Sequence, residues 1–285
     1  MSRRNSDRIG GRRESQATPP VNAAPPEGFS FVVPTEFVEL PSEGRYYPEG
    51  HPLHGQQTIE IKHMTAKEED LLTSRTLIQK GIVLDRLINS LIVDKNINSD
   101  SLLVGDRNAI IIAARISGYG AEYETKVRCP SCNAESRFCF DISQPVIHYG
   151  GEIEREDIEV KELEGGDFEI MLPVSGYKAT FGLMTGAQER EYVAEMEKAK
   201  KSKKAEKNIT SQLYYILKSI NDTELGVHAR QVVQNLPSRD SRHLRFGYRC
   251  AAPNVKLIQD FDCPECGNTT EMEVPLTADF FWPDL

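Results

Sequence analysis

Cys129-Pro130-Ser131-Cys132 and Cys263-Pro264-Glu265-Cys266 are two copies of one knuckle. Four thiolates at this spacing make one tetrahedral zinc site, with Cys129, Cys132, Cys263 and Cys266 as ligands. Each pair is followed by a turn residue, Asn133 or Gly267. Around the first, Tyr123, Thr125 and Val127 alternate before the cysteines and Phe138, Phe140 and Ile142 after them. Leu257, Gln259 and Phe261, then Met272, Val274 and Leu276, do the same around the second. Period-two alternation on both sides of a turn predicts a hairpin with the knuckle at its tip, twice.

The spacing between the knuckles, 134 residues from Cys129 to Cys263, also carries Asp106 onto Asp240 and Arg115 onto Arg249. Upstream, "IEIKHMTAKEED" (59–70) is similar to "ATFGLMTGAQER" (179–190), with Met184 lying 120 residues after Met64, and "VELPSEGRYY" (38–47) is matched to "VKELEGGDFE" (160–169). Self-similarity of this kind reads as internal duplication. The 14-residue change of register is assigned to the Lys-rich run "KAKKSKKAEKN" (198–208), a polar stretch that lengthens a helix or loop without touching a core. The expected fold is α+β: two similar halves, each a short sheet plus helices and a knuckle hairpin, sharing one four-cysteine zinc site. The expected divisions are a disordered arm over 1–28, a first repeat over 29–145 and a second over 146–285.

Local signals support that order. Thr65 with Glu68 and Thr185 with Gln188 each form the pattern of a capping box, so two helices start at equivalent places. Leu71, Leu72, Ile78, Ile82, Leu87, Ile88 and Leu91 recur at helical spacing, with Gly81 as a break. Asp106 is placed as the cap of a third helix that ends at the Gly118 and Gly120 pair, with a weaker counterpart over 238–249.

Composition bounds the function classes. The 285 residues are 39% hydrophobic, enough for a core, and no apolar run approaches the about 20 residues of a membrane span, so a soluble protein is expected. Residues 1–28 are polar and rich in Arg, Pro and Gly, with no secretory apolar segment. The net charge of −9 makes the body a poor general nucleic-acid surface; the five arginines of the arm read first as a solubilising flexible terminus and second as a dock for an acidic partner or RNA. Catalysis finds no support: the six histidines form no HExxH, and there is no GxSxG, phosphate-binding loop or GxGxxG. His51 and His54 read as a surface turn, the acidic run 152–169 as exposed strands, and Cys139 and Cys250 as buried apolar thiols outside the metal site. A four-thiolate zinc leaves no open position for a substrate, so neither an enzyme nor a small-molecule site is expected.

The strings "VELPSEGRYYPEGHPL" (38–53), "IEIKHMTAKEEDLLTSRTLIQKGIVLDRLINSLI" (59–92) and "VGDRNAIIIAARISGYGAEYETKVRCPSC" (104–132) resemble the baseplate hub protein family of contractile-tailed phages of the T-even type. The resemblance covers the first half of the chain. It implies a hub component or hub-assembly factor of the tail baseplate, made in the host bacterial cytoplasm, whose partners are other phage baseplate or hub proteins. It brings no catalytic residues.

An interaction protein works through surfaces. Phe280, Phe281 and the single tryptophan, Trp282, are candidate partner anchors, or else fold back onto the second hairpin. The alternative function is a zinc-ribbon nucleic-acid-binding protein, which needs a basic face. Asp260, Asp262, Glu265, Glu271 and Glu273 surround the second knuckle and oppose it, whereas Lys126, Arg128 and Arg137 near the first are compatible with it. A thiol-redox or metal enzyme is the third class; a redox CxxC sits at a strand-to-helix turn, not at a hairpin tip.

Overall fold

Val38 faces Ile59 where strand β1 (Thr35–Glu39) pairs antiparallel with β2 (Thr58–Lys62), and both side chains are buried. This opens a computed structural model that describes residues 32–151, 158–201, 208–274 and 280–281. Residues 33–285 cluster as one unit. From β2 the chain enters helix α1 (Ala66–Leu72) through Thr65, whose amide donates to Glu68 Oε2 at 3.1 Å, as the capping-box pattern predicts. Helix α2 (Arg75–Gln79) follows, then Gly81 at φ +67° breaks the path, a left-handed conformation that glycine adopts without strain. Helix α3 (Val83–Leu91) buries Val83, Leu87, Ile88 and Leu91, and Ile92 bridges back to Ile61. Helix α4 (Val104–Tyr119) ends at Gly120, φ +81°, and leads into β3 (Glu122–Arg128), β4 (Glu135–Asp141) and the short β5 (Val146–His148).

The second succession begins with β6 (Val160–Glu162), β7 (Phe168–Met171) and β8 (Lys178–Phe181). A second capping box, with the Thr185 amide donating to Gln188 Oε1 at 3.0 Å, starts α5 (Gly186–Lys201). Helix α6 (Asn208–Ile216), β9 (Leu217–Ile220), β10 (Thr223–Glu224), a 3-10 turn (Gly226–His228) and α7 (Ala229–Asn235) precede α8 (Ser238–Ala251). The chain closes with β11 (Asn254–Lys256), β12 (Ile258–Asp262) and β13 (Thr269–Glu273). Five strands form one antiparallel sheet in the order β10-β9-β8-β7-β6. Among the described residues, short strands and eight helices together give an α+β fold.

Two turns of similar shape follow β1 and β7. Leu40-Pro41-Ser42-Glu43-Gly44 leaves β1 as Leu172-Pro173-Val174-Ser175-Gly176 leaves β7, with Gly44 at φ +71° and Gly176 at φ +66°. Residues 160–169 span β6 and the approach to β7. Asp106 and Asp240 cap nothing. Leu103 is the N-cap of α4, Pro237 that of α8, and both carboxylates sit in the first turn pointing into these turns.

The segments after the two knuckle hairpins cross. β5, which follows the first hairpin, pairs with β11 after α8, His148 opposite Asn254. Phe280, which follows the second hairpin, returns to the end of α4, where Arg115 Nε donates to its carbonyl at 2.6 Å. At the seam between α4 and β11, a Cβ on Gly105 would lie 2.1 Å from the Pro253 carbonyl oxygen, so two backbones touch there.

Candidate metal centre

The β3–β4 hairpin follows the alternation seen in its sequence. Tyr123, Thr125 and Val127 are buried, the residues between them are exposed, and Phe140 and Ile142 are buried opposite. β12 and β13 repeat the pattern with Leu257, Phe261 and Val274; Leu276 lies outside the described residues. Phe138 meets Phe140 and Phe261 edge to face, with ring centroids 4.8 and 5.2 Å apart, and Gln259 Oε1 accepts the Asp141 amide at 3.0 Å. These contacts lay the hairpins side by side with both tips at one end.

The knuckles are closed by matching bonds. The Cys129 amide donates to Ala134 O at 2.9 Å and that of Cys263 to Asn268 O at 3.0 Å. The Asn133 amide returns to Cys129 O, and that of Gly267 to Cys263 O, both at 2.9 Å. Asn133 at φ +59° and Gly267 at φ +68° supply the left-handed residue that this return needs.

The two tips bring Cys129, Cys132, Cys263 and Cys266 together, all four sulfurs within 4.8 Å of one another. Cys129 Sγ lies 3.8 Å from Cys266 Sγ, and Cys132 Sγ 3.7 Å from Cys263 Sγ. A disulfide needs about 2.05 Å. Four thiolates about 2.3 Å from one ion stand about 3.8 Å apart along a tetrahedron edge, so the donor set and its spacing are compatible with a metal site. Cys129 and Cys263 are buried, while Cys132 and Cys266 face solvent. Backbone amides of Cys132 and Ser131 pull the Cys129 thiol down to about 7. The Ala134 amide also favours thiolate at Cys132, yet burial and the neighbouring sulfurs push it up to about 12. Without a cation the four sulfurs compete for charge; a divalent ion removes the competition.

Other expected residues fall elsewhere. Cys250 is buried, but Cys139 is exposed, because Phe138 and Phe140 take the inward positions on β4. The His51 ring meets Ser101 Oγ at 3.0 Å, and that of His54 the Tyr47 carbonyl at 2.7 Å, so both order the loop after β1. Phe280 and Phe281 are packed inward, Phe280 edge-on to Tyr123 at 5.2 Å, on the first hairpin and not the second. Their rings are therefore not on offer as surface anchors; Trp282 lies outside the described residues, as do 152–157 of the acidic run and 202–207 of the Lys-rich run.

The basic residues beside the first knuckle are partly neutralised, Arg128 by Glu135 at 2.6 Å and Arg137 by Glu124 at 3.2 Å. All five acidic residues beside the second knuckle are exposed. Neither knuckle leads into a helix, the setting of a thiol-redox centre. Sequence reading passed over Arg242, Arg245 and Arg249, a basic triplet at helical spacing on α8 that lines a cavity of its own. Among the described residues, no helix is long and apolar enough to cross a membrane.

A family model described as T4 bacteriophage base plate protein matches residues 34–282. No curated protein and no solved structure matches the chain.

Proposed function

Since this chain belongs to the T4 bacteriophage base plate protein family, we propose that it serves in the hub of a phage tail baseplate, as a hub component or a hub-assembly factor. It acts without catalysis and is braced by one zinc ion on Cys129, Cys132, Cys263 and Cys266. The observation that carries this reading is that the match runs through both hairpins and includes all four cysteines. Zinc suits four thiolates and no other donor, and in such a site it crosslinks without offering an open coordination position. The ligand pairs come from segments about 130 residues apart in sequence, so the ion's binding energy becomes packing energy between halves.

The two halves, 29–145 and 146–285, are read as products of internal duplication. The paired knuckles, the paired Leu-Pro turns held by Asp106 and Asp240, and the crossing of β5 and Phe280 support that reading. Partners are other baseplate or hub proteins, met in the host bacterial cytoplasm during assembly. The arm over 1–28 and Trp282 are the contact segments proposed for them.

Metal analysis of the reduced, purified protein alongside its mass in solution is expected to give one zinc per chain. Chains without metal and with four reactive thiols would remove the zinc. A phage with a nonsense codon in this gene should make tails with defective hubs, and antibody detection of the chain in purified tails then separates subunit from assembly factor. Normal hubs in that phage would overturn the baseplate role.

A further inference from the structure

Helix α8 has two unlike faces. Asp240, Leu244, Gly247 and Ala251 point inward and are buried. On another face Arg242, Arg245 and Arg249 follow one another at i, i+3 and i+7 around Phe246, whose ring centroid lies 5.4 Å from the Arg242 guanidinium and 4.5 Å from that of Arg249. With Gln212 and Tyr248 they line a cavity of about 270 Å³. Among the described residues none of these three arginines makes an ion pair, and Arg245 Nε is buried without a hydrogen-bond partner.

Buried arginines elsewhere meet acceptors, although Arg107 Nε, like Arg245 Nε, makes no hydrogen bond. Arg107 pairs with Asp85 at 2.7 Å, Arg190 with Asp100 at 3.0 Å, and Arg115 donates to three carbonyls. The chain has 43 acidic residues against 34 basic ones, yet among the described residues no carboxylate lines the cavity of the triplet, Glu189 standing in the adjoining one. Like charges one turn apart repel, and a buried donor without an acceptor costs free energy, so the arrangement calls for an anion from outside.

A second cavity of about 310 Å³ adjoins the first and shares Gln212, Tyr248 and Arg249. Its wall is mostly apolar, with Leu183, Tyr192, Val193 and Pro253, and its one carboxylate, Glu189, lies 3.4 Å from Arg107 Nε, which offsets its charge. One groove thus has a cationic end and an apolar end.

We propose that this groove docks an acidic segment of a partner protein, which presents carboxylate to Arg242, Arg245 and Arg249 and an aliphatic side chain to the adjoining cavity. Guanidinium binds carboxylate with two parallel hydrogen bonds. A polyphosphate extends beyond the triplet and meets the field of a body with net charge −9, whereas a short peptide meets only the local arginines. The apolar compartment accepts a leucine-like side chain and matches nothing on a sugar-phosphate chain. The inference rests on the baseplate reading only in taking the partner to be a protein.

The test is fluorescence anisotropy with the full metal-loaded chain and three labelled probes: a short peptide alternating glutamate with leucine, its glutamine counterpart, and single-stranded DNA of equal charge. Binding is expected for the acidic peptide alone, weakened about tenfold by the double variant R242Q/R249Q, both of whose sites are exposed and leave the fold intact. V193S should weaken it further. No binding of the acidic peptide, equal or tighter binding of DNA, or binding indifferent to R242Q/R249Q would each overturn the proposal. These outcomes are independent of the nonsense-codon phage, so failure of docking and failure of the baseplate role can be told apart.

Discussion

Asp106 and Asp240, 134 residues apart and both wholly buried, hold equivalent turns by equivalent bonds. Asp106 accepts the Ser42 amide at 3.0 Å and its hydroxyl at 2.6 Å, and Asp240 accepts the amides of Val174 and Ser175 at 2.7 and 2.9 Å. Asp106 also accepts the Tyr47 hydroxyl at 2.7 Å. Each carboxylate ties the third residue of its helix to the turn leaving a strand, β1 for Asp106 and β7 for Asp240.

Removing Asp106 strands buried donors, whereas the amides held by Asp240 are only part-buried. Asp106→Ala is expected to lower unfolding free energy by about 2 to 4 kcal/mol and Asp240→Ala by about 1 to 2 kcal/mol, since hydrogen bonds to charged groups are the strong ones and water can reach the exposed Val174. Urea unfolding followed by circular dichroism measures this. A loss below about 0.5 kcal/mol in both variants would contradict the anchoring role.

The cysteine cluster predicts a nonlocal response. Cys129→Ser should raise amide hydrogen exchange in β12–β13 as well as β3–β4, and chelation of the wild type should do the same. Cys139→Ser, at an exposed position outside the cluster, is the matched control and should leave exchange unchanged. Exchange confined to β3–β4 would deny the shared site.

Glu68 gives the chain an acid-labile element. Its side chain is fully buried; burial alone would raise its pKa, but bonds from Ser90, Thr65 and Lys62 outweigh this and pull it down to about 2. A depressed carboxylate favours the folded state when ionised. That contribution is complete above the ordinary value of 4.5 and is lost as pH falls through about 2. Wild type should lose about 2 kcal/mol more than Glu68→Gln between pH 5.5 and pH 2.5, by denaturant unfolding at the two pH values. Equal losses would refute it.

Two glycines of α4 should behave oppositely. Alanine at Gly105 meets the Pro253 backbone and must force α4 and β11 apart, whereas alanine at Gly118 meets only the end of the Met64 side chain, which can rotate away. Gly105→Ala is expected to cost more than about 3 kcal/mol or abolish folding, and Gly118→Ala less than about 1 kcal/mol, a difference that thermal melts resolve.

What could be read without coordinates is what short stretches encode. The alternation around each knuckle, the capping boxes at Thr65 and Thr185 and the break at Gly81 depend on residues within a few positions of each other, and the four cysteines carry their pairing in their chemistry. The matching turns were missed because Leu40-Pro41 and Leu172-Pro173 share a shape whose loop lengths differ, so a single offset does not align them. Asp106 looked like a cap because a carboxylate at a helix start usually is one; Ser42, 64 residues away, decides otherwise. The inward packing of Phe280 depends on Arg115 and Tyr123, which no local pattern connects to it. The exposure of Cys139 was legible, since two inward phenylalanines flank it.

The crossing of β5 with β11, and of Phe280 with Arg115, has a bearing on synthesis. A ribosome that has finished only the first half has made a helix whose arginine still waits for a carbonyl 165 residues ahead. Neither segment can complete itself as it emerges, so the fold closes only when residues 254–280 have been made, and a product terminated before them stays open to proteases instead of competing with the finished protein.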